Sequence, residues 1–335
     1  MIARTNGTRV SITGLGCHVP ERVVTNDDLS KLVDTSDEWI RERTGIRERR
    51  YAAADEALSD IALPAARAAL EMAGVAASDL DLIIVATVTP DMAFPSTAAI
   101  VADQLGAAEA GAYDLSAGCT GFMYAIAQAS GMAGAGMSKR ALVIGADVLS
   151  KVMNLADRST CVLFGDGAGA VVIEPVDAEG FLGFELGADG AGGVDLNLPA
   201  GGSRMPASAE TVAGGLHYIH MNGRQVFKFA TRVLVSSAQK LLAETGVAIE
   251  DVDVYVPHQA NVRIIDHAVA KLGIPKERVV VNVDRYGNTS SASIPLALAE
   301  AVADGRVRNG DTVLMTGMGA GLTWGSALMR WTEAS

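Results

Sequence analysis

Cysteine is scarce: the 335 residues hold only Cys17, Cys119 and Cys161, an odd number, far apart, with no CxxC pair and no metal-ligand spacing. That excludes a disulfide framework and points to a reducing compartment, so a cytoplasmic protein is expected. A secretory start is missing too, since Arg4 and Arg9 sit among polar residues with no apolar h-region before Ser11. No run suits a bilayer. The uncharged stretch of 24 residues from Leu115 to Ser138 holds five glycines, Gln128 and several hydroxyls, and reads as a buried central helix rather than a span. Positive charge is in deficit. A net charge of −12 excludes nucleic acid as a general partner, because phosphate binding needs a basic surface. P-loop, HExxH and GxSxG patterns are all missing.

Glycine is not scarce, and two of its clusters imitate nucleotide motifs. GDGAGA at 165–170 fits G-x-G-x-x-A, but it runs into AVVIEP, a strand, where a dinucleotide fingerprint must open a helix. GMGAG at 317–321 has Leu322 where the last glycine belongs. Neither reads as a nucleotide site, and the first reads as close-packing glycines near the core. Against the overall charge, Arg41, Arg43, Arg47, Arg49 and Arg50 crowd into ten residues, as a basic mouth or as a solvated face.

Apolar residues make up 49% and charged residues 20%, enough core for one large layered architecture or two domains. The chain repeats itself. GVAASDLD (74–81) and GVAIEDVD (246–253) agree at five of eight positions, 172 residues apart, and ALVIG (141–145) faces VLMTG (313–317) at the same offset. Each repeat follows an alanine- and leucine-rich helical stretch and leads into a strand, LIIVATV or VYVPH. Other short Val/Ile runs, AVVIEP, VVVNVD and TVLMTG among them, predict a mostly parallel, buried α/β sheet in each half. The halves are expected over 1–178 and 179–335, meeting near 175–180. Residues 189–210, with seven Gly or Pro, read as a loop that either covers a site or is an ordinary surface excursion.

Cys119 stands in DLSAGCTGFMYAIAQA, where a strand ends near Leu115 and a helix is expected from Cys119 or Thr120. A thiol at a helix N-terminus meets unpaired N–H groups and the positive end of the macrodipole, which favour thiolate and a lowered pKa. His258 ends the strand DVYVPH, at the carboxyl end where α/β folds place chemistry. Asn288 lies in DRYGNTSSASIP, a second strand–turn–helix corner; 119 + 172 = 291 puts it within three residues of the repeat of Cys119. Cys, His and Asn in this order also suggest a papain-like protease, but the C-G-S-C-W signature and a secretory start are missing, and a duplicated α/β chain is the wrong scaffold.

These residues, with VPERVVTNDDL (19–29), TSDEWIRERTGIRERR (35–50), FGDGAGA (164–170), GRQVFKFA (223–230), PHQANVRI (257–264) and GAGLTWGSAL (319–328), resemble the β-ketoacyl-acyl carrier protein synthase III family, the initiating condensing enzymes of bacterial fatty acid synthesis. The resemblance covers nearly the whole chain. It implies a thiolase-like α/β fold of duplicated βαβαβαββ halves, layered α-β-α-β-α, in a homodimer. It implies a Cys119–His258–Asn288 triad, an oxyanion hole from the N–H groups of Cys119 and Ala320, and acyl-CoA and malonyl-acyl carrier protein as substrates with no metal or redox cofactor. Trp39 and Arg158 would sandwich the CoA adenine, Arg43 would meet its phosphates and Asn261 the pantetheine arm. Lys228 and Arg263 match the rim where an acidic acyl carrier protein docks, and Phe94 the residue that closes the partner's acyl pocket. Gly118 stands where the family more often has Ala, which implies a slightly wider corner. The alternatives are a same-fold starter synthase of polyketide or quinolone metabolism, and a thioesterase or acyltransferase on this scaffold.

Overall fold

The computed structural model describes residues 2–4 and 7–332; the expected outer bounds at 1 and 335, and the Arg4 side chain, lie outside the described residues. The chain opens with β1 (Ile2–Arg4) and β2 (Val10–His18). A two-stranded ribbon, β3 (Arg22–Thr25) and β4 (Glu48–Tyr51), then encloses the short helices α1 (Asn26–Ser30) and α2 (Asp37–Thr44). Strands and helices alternate through α3 (Leu58–Ala73), β5 (Leu82–Ala86), α4 (Thr97–Leu105), β6 (Gly111–Leu115), α5 (Gly121–Gly134) and β7 (Ala141–Asp147). After α6 (Arg158–Cys161), β8 (Gly167–Pro175) and β9 (Phe181–Ala188) run out and back.

Residues 189–222 carry little regular structure, only β10 (Leu196–Asn197), α7 (Ala209–Ala213) and β11 (His220–Met221) beside a 3-10 turn. The long α8 (Gly223–Thr245) leads to β12 (Val254–Pro257) and α9 (Val262–Leu272). The chain ends through α10 (Val283–Tyr286), α11 (Ser293–Ala303), β13 (Thr312–Gly319) and β14 (Thr323–Arg330).

Two five-stranded sheets result, in the orders β2-β8-β7-β5-β6 and β1-β9-β14-β13-β12. β5 runs parallel to both β6 and β7, and β12 parallel to β13. β8 and β14 run antiparallel to their neighbours. Helices α3 and α4 cover the outer face of the first sheet, and α8 and α9 that of the second. Between the sheets lie α5 and α11. Phe122, Met123 and Ile126 meet Ile294, Ala297 and Leu298 there, under Val143 and Val171 of one sheet and Val256 and Met315 of the other. A helix covered on both sides has no face for water, which is why the stretch from Leu115 carries no charge. Among the described residues no helix is long and apolar enough to cross a membrane.

The internal repeat takes the same local shape twice. Gly74 (φ 65°) and Gly246 (φ 74°) end α3 and α8 in the left-handed region. A 3-10 turn follows each, at 77–79 and 249–251, and then β5 or β12. Two expectations need correction. The sheets are not mostly parallel, since β1, β2, β8, β9 and β14 pair antiparallel, β1 joining β9 in the sheet of the second half. VVVNVD is not a strand: only Val279 bridges Tyr255. The Gln259 side chain takes over the backbone there, donating to Val280 O and accepting from the N–H groups of Asn282 and Val283, which leaves no ladder to extend.

Candidate active site

Cys119 sits at the turn between β6 and α5. The turn is held by hydroxyls: Thr120 donates to Ala117 O at 2.6 Å and lies 2.6 Å from the Thr323 hydroxyl, which itself reaches Ala117 O at 2.9 Å. Helix α5 starts at Gly121 with Thr120 as its N-cap, so Cys119 lies just outside the helix and not in its first turn. The expectation of a lowered thiol pKa is overturned. Burial pushes the Cys119 thiol up to about 12; a hydrogen bond with Ser290 opposes this, and the buried charge of Asp147 adds to it. Desolvation wins over the helix terminus, so the resting nucleophile is a neutral thiol.

Gly118 is not a loosened alanine. Its φ is 58°, and an added Cβ would come within 2.5 Å of Ala320 N. An added Cβ on Gly319 would come 2.4 Å from Cys119 N. The glycine backbone thus lets the 319–320 strand end close on the Cys119 corner, which is narrower than the Ala-to-Gly exchange implied. It also brings the backbone nitrogens of Cys119 and Ala320 close to this corner.

His258 follows β12, its own N–H donating to Thr316 O at 2.8 Å. The ring is 1% exposed, and burial pulls its pKa down from 6.5 to about 4, so it is neutral at pH 7. Nδ1 is hydrogen-bonded to the Ser293 hydroxyl, while Nε2 is buried with no partner among the described residues. Asn288 is tied to the first half by a bridge with Phe164, its N–H donating to Leu163 O at 2.8 Å. Its Oδ1 accepts the Ser290 N–H at 2.9 Å, so the Nδ2 protons are what it offers a ligand. One cavity of 170 Å³ collects Cys119, His258, Asn288, Asn261 and Gly319 on its wall, with Phe227 and Met318 among the apolar residues closing it.

Outside the cavity, Trp39 is stacked by Arg158 at 4.9 Å and flanked by Arg43 at 5.6 Å from the ring centroid. Arg158 is also held by Asp34 O at 2.7 Å. An adenine between Trp39 and Arg158 therefore has to displace an arginine that already occupies the ring face. Asn261 caps α9, accepting the Arg263 N–H at 2.8 Å, and reaches Arg43 O at 3.1 Å. Lys228 and Arg263 are exposed, Arg263 over the Phe227 ring at 5.7 Å. Phe94 is 85% exposed and is not among the residues lining the chain's own cavity.

The arginine cluster divides. Arg41, Arg43 and Arg47 are exposed, but Arg49 is fully buried, donating to Asn26 Oδ1 and to the carbonyls of Val24 and Val162, and Arg50 is partly buried beside Pro20 O. Three polar residues went unmarked in the sequence. Ser293 bonds His258, Ser290 holds a positive φ of 52° beside the nucleophile, and Asp147 is a buried carboxylate. Asp147 accepts from the hydroxyls of Thr87 and Thr89 and from the N–H groups of Val88 and Ser291, joining the loop after β5 to the Asn288 corner. The hydroxyl-rich run NTSSAS was the available signal for two of them.

Residues 113–190 match the family model described as 3-oxoacyl-[acyl-carrier-protein (ACP)] synthase III, and residues 242–331 the one described as its C-terminal part. The chain is 59% identical over 323 residues to β-ketoacyl-[acyl-carrier-protein] synthase III of Symbiobacterium thermophilum, covering 96% of this chain and 98% of that one. A crystal structure of β-ketoacyl-[acyl carrier protein] synthase III from Thermus thermophilus superposes with a TM-score of 0.90 at 50% identity, covering 97% of this chain and all of that one. The priming β-ketosynthase of the R1128 polyketide pathway superposes with a TM-score of 0.91 at 38% identity, covering 99% of each chain.

Proposed function

The chain belongs to the β-ketoacyl-[acyl-carrier-protein] synthase III family, with its thiolase-like α/β fold, and from that premise we propose how its own residues carry the family's reaction. It is an acyltransferase that condenses an acyl-CoA starter with malonyl-acyl carrier protein, giving 3-ketoacyl-acyl carrier protein, CO2 and CoA, and so initiates fatty acid synthesis. The observation that carries the site assignment is the single cavity walled by Cys119, His258 and Asn288.

Cys119 Sγ attacks the starter thioester, and its proton leaves with the CoA thiol. The N–H groups of Cys119 and Ala320 hold the oxyanion at the wall where Gly118 and Gly319 let the two backbones close. Malonyl-acyl carrier protein then loses CO2. As enolate charge grows on its thioester oxygen, His258 Nε2 and Asn288 Nδ2 donate to it, each worth roughly 3–4 kcal/mol in a dry site. The carbanion attacks the acyl-Cys119 carbonyl, the thioester C–S bond breaks to expel the Cys119 thiolate, and a proton taken from solvent restores the neutral thiol. No metal, nicotinamide or flavin has a step to perform in this scheme.

Trp39, Arg158, Arg43 and Asn261 hold CoA, and Lys228 and Arg263 receive the acidic carrier. A homodimer is supported by β6, an unpaired edge of the first sheet, and by Phe94, Met92 and Val88 left exposed beside it. Phe94 then closes the partner's pocket and favours a short starter, acetyl or a small branched acyl. We read residues 1–178 and 179–335 as the two repeat halves, and the cytoplasm as the compartment.

Acyl-CoA supplied with malonyl-acyl carrier protein, followed by mass spectrometry, tests the reading. Acylated Cys119, CO2 and a 3-ketoacyl product are expected; no acylation of Cys119 by any acyl-CoA would overturn it. Free acid without 3-ketoacyl product would favour a thioesterase. The likeness to a polyketide priming synthase supports a second reading, a starter enzyme of specialised metabolism, which turnover with a dedicated carrier and not the fatty-acid one would favour.

A further inference from the structure

His258 can act as an enolate donor only if its one proton sits on Nε2, and the residue that decides this is not among the three that reach the cavity. A neutral imidazole carries one N–H and one bare nitrogen, and the partner of one nitrogen settles the state of the other. Here the partner of Nδ1 is the Ser293 hydroxyl, at 2.5 Å. Ser293 is the first residue of α11 and 1% exposed. Among the described residues its oxygen meets two groups only, His258 Nδ1 and the Gln259 N–H at 3.4 Å.

The protons can be counted. Gln259 N–H can only donate, so it takes a lone pair of the Ser293 oxygen. If Nδ1 carried the ring proton, it would donate to the same oxygen, and the serine proton would be buried with no acceptor. If Nδ1 is bare, it accepts the serine proton, and the Gln259 N–H, the Ser293 hydroxyl and Nδ1 are all satisfied, while Nε2 has no partner among the described residues in either tautomer. Leaving a buried donor unmade is costly enough to favour the bare-Nδ1 tautomer by about fivefold or more. Nε2, buried and unpartnered, then presents its N–H to the cavity. We propose that Ser293 is a positioning residue that locks His258 in the Nε2–H tautomer.

The repeat gives independent support. Subtracting 172 places His258 over Ala86 and Ser293 over Gly121. In the first half those two also meet, since a Cβ on Gly121 would lie 3.1 Å from Ala86 Cβ. The fold thus brings the residue at this strand end against the start of the central helix in both halves. Only the second half fills the contact with an imidazole and a hydroxyl. The hydrogen bond is built on backbone placement, not on the chance rotamer of a loop.

The inference rests on His258 as an enolate donor, and its test separates the two. In the wild-type enzyme labelled with 15N-histidine, and with His258→Ala used to assign the signal, the His258 ring should show the Nε2–H pattern at pH 7; the Nδ1–H pattern overturns the proposal without need of any variant. Ser293→Ala should slow malonyl-acyl carrier protein decarboxylation about tenfold or more in kcat, a part of what losing the donor itself costs. Acylation of Cys119 should stay within about twofold, because that step does not use the His258 proton. Ser293→Thr, which keeps the hydroxyl, should restore most of the rate. Decarboxylation unchanged in Ser293→Ala, or a folded Ser293→Thr as slow as Ser293→Ala, overturns the proposal. If His258 is no donor at all, His258→Ala will leave decarboxylation intact. If only the tautomer assignment fails, His258→Ala will be inactive in decarboxylation while Ser293→Ala is not.

Discussion

His258 and Asn288 come to the cavity each with one polar atom already engaged, Nδ1 by Ser293 and Oδ1 by the Ser290 N–H. Each is left with donors, and neither has a spare base with which to activate the nucleophile. His258→Ala and Asn288→Ala should therefore still form acyl-Cys119, yet lose two to three decades in decarboxylation, about 3–4 kcal/mol for each donor removed. Single-turnover acylation beside CO2 release measures the split; loss of acylation in both variants would mean that the roles are wrongly divided. The buried ring also has a thermodynamic signature. Its folded pKa of about 4 lies below the ordinary 6.5, so an unfolded chain takes up a proton that the native ring refuses. The stability this gives is fully present above pH 6.5 and is lost as pH falls through the window down to about 4, by about 3 kcal/mol. Urea titrations of wild type and His258→Gln across pH 4–7 should show that difference in slope; parallel curves would count against a neutral buried imidazole. The three cavity residues were legible in the sequence because each closes a strand or a tight turn. The thiol's pKa was not, because desolvation depends on what folds over Cys119 from the second half.

At the level of elements, the informative face is the outer one of α8. Arg224, Lys228 and Arg232 recur every four residues and are all exposed, with Arg263 of α9 beside them at the mouth of the cavity. On a chain of net charge −12 this local positive stripe is what an acidic carrier would meet. Reversing Lys228 and Arg263 to Glu should raise KM for malonyl-acyl carrier protein about tenfold, and more at low salt, while acylation by free acyl-CoA stays nearly unchanged. Equal effects on both substrates would move carrier docking elsewhere. The alanine- and leucine-rich stretch before the second repeat made α8 readable, as short Val/Ile runs made β5, β7, β8, β12 and β13 readable. VVVNVD had the composition of a strand and failed to become one, because the Gln259 side chain, distant in sequence, satisfies its backbone. Likewise, Arg49 counted as part of a surface cluster until Asn26 and two carbonyls were folded around it. Tertiary partners of this kind have no local signature.

The whole molecule has a side that the single chain leaves unfinished. One end of the first sheet is β6, whose outer edge has no strand beside it among the described residues, and the loop that follows β5 holds Phe94 85% exposed with Met92 and Val88 near it in sequence. The corresponding edge of the second sheet, β12, carries a single bridge from Val279 to Tyr255. An open edge and an exposed phenylalanine on the same half are an aggregation liability unless a second copy covers them. Two β6 strands meeting about a two-fold axis would satisfy both edges and join the sheets of two chains, and a two-fold interface is self-complementary by symmetry. Light scattering after size exclusion should give twice the chain mass at micromolar concentration. Phe94→Asp should lower the dimer's stability and, if the ring reaches the neighbouring cavity, should also broaden the range of starters accepted. Dimer loss and altered starter choice are separable readouts. Phe94→Ala, which removes the ring without adding charge, should widen starter choice in a dimer that persists. A monomer of full activity with wild-type starter preference would refute both the assembly and the place of Phe94 in it.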